Sequence, residues 1–491
     1  MVGVRVMQFN SYIFIMAFVP LLIVGYFGFN KTNAFLGKLY LIIASALFYI
    51  YGGGFGIAVI LAVSVIINYI FALLINKHNT EIYRRLFLII SIVGNVTVLL
   101  YFKYFNFFIS NVNLVLKTEF NTKNIILPLG VSFFTFQQIM YLVNIYKREI
   151  EQVDTFDYLA YILYFPKLVS GPIVEPAELI SQINCIEGKQ INWNNIAFGI
   201  KIFCLGLFKK LILADTFASA VTWGYTNIDV ATSMDLLLVM ISYTFEIYFD
   251  FSGYSDMAVG ISTMLNITLP INFNSPYKAL SIREFWTRWH MTLTGFLTKY
   301  VYIPLGGSRK GKFRTYINIL IVFLVSGIWH GANWTFVLWG IIHGLLSIAD
   351  RILEKIQKKI FEPVRWMCTF CAVNLLWLLF RSDSIAQWKN ILKIILKFED
   401  TSISHRLIKA FVLPETPFIN QLLHIETIYG KVRGFNLLYF MVAGFFICMV
   451  PENNYKNLTK NNWLYMFISA AAFLWAFLCL SSESVFVYFN F

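Results

Sequence analysis

YINILIVFLVSGIWHGANWTFVLWGIIHGLLSIA, residues 316–349, is an apolar run interrupted near its middle by one polar knot, SGIWHGAN at 326–333. Arg309, Lys310, Lys312 and Arg314 precede it, and Arg351, Lys355, Lys358 and Lys359 follow it. Lys and Arg hold loops on the cytoplasmic side of a membrane, so both ends of this run read as cytoplasmic. A helix needs roughly 20 mainly apolar residues to cross a bilayer. Working outward, the same ruler finds Val364–Phe380, Phe435–Val450 and Trp463–Leu480 downstream. Upstream it finds Leu236–Leu265, Ala197–Leu213, Ile126–Tyr146, Leu86–Phe102, Phe55–Ile75, Phe35–Tyr51 and Tyr12–Phe29. The expected fold is an all-α polytopic membrane protein with about 11–13 spanning or re-entrant helices.

Composition agrees. Of 491 residues, 58% are hydrophobic and 13% charged, about half the charged share of a soluble domain. No water-soluble fold hides so much apolar surface, 49 Phe and 27 Tyr included, and lipid must serve as solvent. The net charge of +13 belongs to cytoplasmic loops; no aromatic-basic groove accompanies it, which argues against a nucleic-acid partner. Cys368 and Cys371 form a lone C-x-x-C in an apolar run, with no second pair for zinc. They are expected to be buried, inert thiols, and no metal is expected. The first apolar segment lacks a small-residue cleavage site and reads as a retained span.

No repeat of fixed period and no appended soluble domain is expected. One membrane domain fills 1–491, with core motifs at about 125–350 and a polar surface segment at 398–434 containing Pro414, Pro417, His405 and His424. Two regions break the pattern. YFPKLVSGPIVEP, residues 164–176, holds three prolines; each removes a backbone donor, so this stretch belongs inside protein or along a wet cavity. Residues 283–307, REFWTRWHMTLTGFLTKYVYIPLGG, mix Trp286, Trp289, Phe296 and Tyr300 with Arg283, Arg288 and Lys299, as an interfacial amphipathic helix does.

Three of the six histidines, His290, His330 and His343, fall in the central region. The fourteen residues from Tyr316 to Trp329 advance ~20 Å along a helix, which puts His330 deep in a hydrocarbon core of ~30 Å. An ionisable side chain there is a functional candidate by default, and a neutral imidazole can accept a proton as a general base. The competing reading is a histidine that bonds a carbonyl and locks packing; Trp329, Asn333, Gly327 and Gly331 around it weigh against that. His290 is either a second functional histidine or an interfacial anchor, and core packing is favoured for His343. YTFEIYFDFSGYSDM, residues 243–257, carries Glu246, Asp250 and Asp256. Glu246 and Asp250 share a helix face; pairing with Arg283 or Arg288 is the plain reading, preferred for Glu246. GGSRKG at 306–311 lacks the context of a phosphate loop, and no G-x-S-x-G elbow is found, so an acyl-serine is not expected.

Taken together, FNSYIFIMAFVP (9–20), YFPKLVSGPIVEP, YFDFSGYSDMAVG (248–260), the 283–311 stretch, SGIWHGANWTFVLWGIIHG (326–344), NLLWLLFRSDS (374–384) and SSESVFVYFNF (481–491) resemble the membrane-bound O-acyltransferase family. The likeness is to its bacterial branch of alginate and peptidoglycan O-acetyltransferase membrane subunits; the D-alanyl transfer protein of teichoic acid synthesis is a more distant relative. The resemblance implies a ring of helices around a thinned central tunnel, His330 as catalytic histidine and His290 as the second. It implies a supporting role for Asp250. Glu246 stands where a glutamine is expected. Trp329, Asn333, Trp289, Arg288 and Asp256 join these as supporting or tunnel candidates.

The implied reaction moves an acyl group, acetyl foremost, from a cytoplasmic thioester to a cell-envelope polysaccharide, in the bacterial cytoplasmic membrane. The donor is acetyl-coenzyme A or an acyl carrier protein, with no bound cofactor. An extracytoplasmic serine-hydrolase-like (SGNH) transferase is the implied partner. D-alanyl transfer to teichoic acid is the alternative within the class. A secondary transporter is the rival outside it, though no repeated halves are seen.

Overall fold

The computed structural model describes residues 7–150, 154–413, 434–451, 453, 455, 463–480 and 486. Among these residues every regular element is helical. Eight helices are long and apolar enough to cross a membrane: Phe14–Thr32, Ala34–Gly53, Phe55–Lys77, Glu81–Leu116, Ser233–Met264, Lys312–His330, Trp334–Gln357 and Glu362–Arg381. Phe435–Met449 and Trp463–Leu478 are shorter apolar helices. The chain is a multi-pass membrane protein.

The N-terminal helices α1 (Val19–Thr32), α2 (Ala34–Gly53), α3 (Phe55–Lys77) and α4 (Glu81–Leu99) turn apolar side chains outward and polar ones inward. On α3, Val63, Ile66 and Ile70 are exposed while Asn68 is buried. Asn68 and Asn95 of α4 exchange hydrogen bonds of 3.2 and 2.6 Å. Lipid offers such amides no partner, so they find each other. A π-helical turn, Leu100–Tyr104, leads from α4 into Phe105–Leu116.

The centre is built differently. Helix α5 (Val131–Tyr146) is buried over nearly its whole length. Helix α6 (Trp193–Phe208) runs along α7 (Ser233–Met264), whose 32 residues extend ~48 Å. A capping box starts α7: Thr232 accepts from the Asp235 amide at 3.0 Å and Asp235 accepts back at 3.2 Å. The two helices touch through glycine. A Cβ on Gly206 would lie 2.7 Å from the Gly253 carbonyl oxygen. Helix α6 ends in a π-helical turn, Lys209–Ala214, which carries two lysines into the interior.

Residues 164–176 run through a short helix, Phe165–Leu168, and an irregular stretch to the helix Pro176–Asn184. They are buried in protein, as expected of broken backbone at this depth. Lys167 donates to Gln137 Oε1 at 2.6 Å and its ammonium lies 3.9 Å from the centre of the Tyr161 ring.

Two expectations need correction. The 283–307 stretch is not one interfacial helix. It breaks into α8 (Ile282–Arg288), α9 (Met291–Leu297) and a π-helical turn, Thr298–Tyr302. Its Trp286, Trp289, His290 and Phe296 are buried, because their rings find partners within the protein rather than at a lipid headgroup. Cys368 and Cys371 are exposed, three residues apart on one outward face, where a thiol serves as a small apolar group. In the polar segment, the helix His405–Ala410 is anchored by buried Leu407 and Phe411, with Phe411 against Phe217 at 5.9 Å. It docks on protein. Pro414, Pro417 and His424 lie outside the described residues, as does the aromatic tail apart from Phe486.

Candidate active site

The run 316–349 folds as a hairpin of α10 (Lys312–His330) and α11 (Trp334–Gln357), with His330 the last helical residue before the turn. Glycine permits the close crossing: a Cβ on Gly327 would meet the Phe336 carbonyl at 2.3 Å, and one on Gly340 the Phe323 carbonyl at 2.4 Å. Asn333 caps α11, accepting from the Thr335 amide at 3.1 Å, and donates to the Asp383 carbonyl at 2.8 Å. Helix α10 advances ~27 Å from Lys312 to His330, so the histidine lies far from the basic loops. Helix α12 (Glu362–Arg381) completes the wall.

His330 is 4% exposed, and His290 and His343 are 1% exposed. The His330 ring packs edge-on to Trp339 at 5.4 Å, Phe380 at 5.1 Å and Trp329 at 4.9 Å. Trp329 also lies 6.3 Å from the His290 ring, so one indole adjoins both imidazoles. Phe133 and Phe136 of α5 hold that indole, each at 5.3 Å. His290 has a φ of 43°, in the left-handed region, costly for a residue with a Cβ. That conformation turns the chain between α8 and α9. Its Nδ1 is 3.3 Å from Asn272 Oδ1, and its ring meets Phe251 of α7 at 4.7 Å. His343 accepts a hydrogen bond from Trp286 Nε1 at 3.2 Å and lies edge-on to Trp339 at 4.6 Å, in keeping with a packing role.

Asp250 and Asp256 pair with lysines rather than with Arg283 or Arg288. Asp250 accepts from Lys210 at 2.7 Å, and Lys210 also reaches Asp215 at 2.9 Å. Asp256 accepts from Lys209 at 2.6 Å and from Tyr455 at 2.7 Å. The π-helical turn after α6 delivers both ammonium groups to α7, whereas Arg288 is tied to Glu284 at 2.8 Å and Arg283 to Glu354 at 3.4 Å. Glu246 is 6% exposed, has no ion pair among the described residues, and its Oε2 lacks a hydrogen-bond partner there. Its expected arginine pairing is not found.

Two cavities flank this centre. The first, of about 600 Å³, lies toward the basic loops; Arg283, Arg351, Lys358 and Arg365 line its mouth and Trp286, Phe323 and Ser326 its depth. Ser326 is one helical turn before His330. The Nε of Arg365 has no hydrogen-bond partner among the described residues. The second, of about 460 Å³, lies at the other end of α10–α12 and holds Lys210, Asp215, Glu246, Asp250, Arg381 and Asp383. Phe336 and Phe380 form its inner wall, and Phe380 touches His330.

The sequence has known relatives. A family model described as "MBOAT, membrane-bound O-acyltransferase family" matches residues 82–382. The chain is 37% identical to the "Peptidoglycan O-acetyltransferase" of Helicobacter pylori, over 99% of this chain and 98% of that protein. The chain belongs to the membrane-bound O-acyltransferase family. It is also 35% identical to a protein of Azotobacter vinelandii named "Probable alginate O-acetylase AlgI", over 77% of this chain and 76% of that one. Likeness to the "Teichoic acid D-alanyltransferase" of Streptococcus thermophilus is 30%, over 48% of this chain and 59% of that protein.

As an O-acyltransferase, the molecule must bring a hydroxyl and an activated acyl group to one point. Of the residues singled out in sequence, His330, His290, Trp329 and Trp289 fall in the aromatic centre, Trp289 through Trp377 at 4.9 Å. Asp250 lies in the second cavity and Asn333 at its rim. Asp256 belongs to the Lys209 pair, and Arg288 is half-exposed on α8. Sequence reading passed over Lys103, Lys209 and Lys210. The one signal was a lysine inside or just beyond an apolar run, a position where a cation needs a partner.

Proposed function

We propose that this membrane O-acyltransferase acetylates a cell-envelope polysaccharide in the bacterial cytoplasmic membrane, with His330 as general base. The observation carrying the reading is a buried imidazole between two cavities that approach it from opposite ends of the same three helices. The substrate class follows the relative matched over nearly its full length; the D-alanyl reading rests on less than half of this chain.

The donor is a thioester entering from the cytoplasmic cavity. Acetyl-coenzyme A and a carrier protein both bring a phosphopantetheine arm, and the cationic lining of Arg283, Arg351, Lys358 and Arg365 suits its phosphate. The acceptor hydroxyl enters from the other side. His330 takes its proton as the oxygen attacks the thioester carbonyl; the C–O bond forms, the C–S bond breaks, and the imidazolium returns the proton to the leaving thiolate. With Nδ1 donating to Asn272 Oδ1, the neutral His290 ring presents Nε2 as an acceptor, which suits it to align a hydroxyl of the acceptor. Exclusion of water by the aromatic wall protects the thioester from hydrolysis. The immediate acceptor is either the glycan or a hydroxyl of an extracytoplasmic hydrolase-like partner.

His330→Ala is expected to abolish polysaccharide O-acetylation while abundance and membrane insertion stay at wild-type level. Ester formation retained in that variant would remove the assignment. Solute uptake without ester formation would favour a transporter instead.

A further inference from the structure

We infer that Lys103 is a positioning residue for the reaction, fixing His330 by holding the end of its helix; the inference rests on the general-base reading above. The last carbonyls of a helix have no partner within it, and at membrane depth water does not supply one. Many helices close this gap with a left-handed residue just past the end. Here Gly331 is extended, with φ of −168°, and the backbone makes no such closure. Two side chains from the π-helical turn after α4 do the work. Lys103 Nζ donates to the Trp329 carbonyl at 2.6 Å and to the His330 carbonyl at 3.0 Å. Tyr104 donates to the neighbouring Ile328 carbonyl.

The third proton of Lys103 goes to Ser132 Oγ on α5, at 3.3 Å. An ammonium has three donors and no acceptor, so these three bonds use all of them. None is left for a substrate oxyanion, which makes the role one of positioning. A cation at a helix C-terminus also meets the negative end of its dipole. The grip falls on the main chain of the histidine itself and of Trp329, which adjoins both imidazoles. Release of Lys103 therefore lets the His330 ring drift, and a misplacement of ~1 Å can cost a reaction about 100-fold.

The test uses the full chain in membrane vesicles, with radiolabelled acetyl-coenzyme A as donor and labelled ester in the polysaccharide fraction as readout. Lys103→Met is expected to lower kcat about 100-fold with the KM for acetyl-coenzyme A unchanged, and Lys103→Arg to restore part of it. Tyr104→Phe is the control, since it opens the same helix end without freeing the His330 carbonyl. It is expected to lower thermal stability comparably and to spare kcat. Should Lys103→Met fail to insert, Lys103→Gln, which keeps donors for the two carbonyls, should give an intermediate kcat. Loss of kcat in equal proportion in the Lys103→Met and Tyr104→Phe variants overturns the inference in favour of simple capping. Full activity of Lys103→Met beside an inactive His330→Ala also overturns it, while leaving the base in place. An active His330→Ala overturns both.

Discussion

The two cavities are made by opposite ends of α10, α11 and α12, yet they differ in what they offer a ligand. Toward the basic loops, four cationic side chains face three acidic ones, Glu284, Asp350 and Glu354. Arg351 and Arg365 have no ion pair among the described residues. At the far end, two cations face four carboxyl groups, and Lys210 is shared between two of them. On the proposed reading, the phosphates of the donor favour the first cavity over the second. Between them stands a septum of rings: Trp286 on Trp339 at 5.5 Å, Trp339 on Phe380 at 5.3 Å, and His330 beside both of the latter. The contrast teaches that the two ends of the same three helices differ in charge, and on the proposed reading that difference sorts donor from acceptor.

The comparison breaks most readily at Lys210. Its ammonium and Asp250 are each 2% exposed at the side chain, and removing one partner of a buried pair costs about 3–5 kcal/mol. Lys210→Met should lower thermal stability in detergent by an amount of that order, and adding Asp250→Asn should restore part of it. A Lys210→Met variant as stable as wild type would mean that water already screens the far cavity, and its charge contrast would carry no weight. A smaller effect tests the near cavity. Reversing Arg351 and Arg365 together to Glu should raise the KM for acetyl-coenzyme A about tenfold, equivalent to about 1.4 kcal/mol, with kcat held. An equal rise in KM from Arg381→Glu would erase the distinction between the two ends.

The burial of His330 and of the broken 164–176 segment was legible because both depend on local counting: residues per span, prolines per stretch. The partners of the buried charges were not. Lys103 lies 227 residues from His330 and just past the end of the expected span Leu86–Phe102. Lys209 and Lys210 lie inside the expected span Ala197–Leu213. Nothing local announces a π-helical turn, and such turns aim these lysines. Arginines near the acids in sequence drew the pairing instead. For Trp286 and Trp289, alternation with charge looked interfacial; the rings of α11 and α12 that bury them are too distant in the chain for any window to include.

Glu246 offers the finest test of the far cavity. It stands four residues before Asp250 on one face of α7, so two carboxyl groups share a side of the same helix, an unfavourable arrangement. Lys210 satisfies Asp250, but Glu246 Oε2 has no partner among the described residues. A glutamine of nearly equal volume removes the repulsion and brings an amide donor that Asp250 can accept. Glu246→Gln should therefore stabilise the protein, by about 1 kcal/mol, read as a raised thermal midpoint with acetyl transfer retained. A lowered midpoint would mean that Arg381, in the same cavity, already holds the carboxylate. The far cavity would then be a closed ion-pair network rather than an open cluster of carboxyl groups, and its contrast with the near one would lie in cohesion instead of charge.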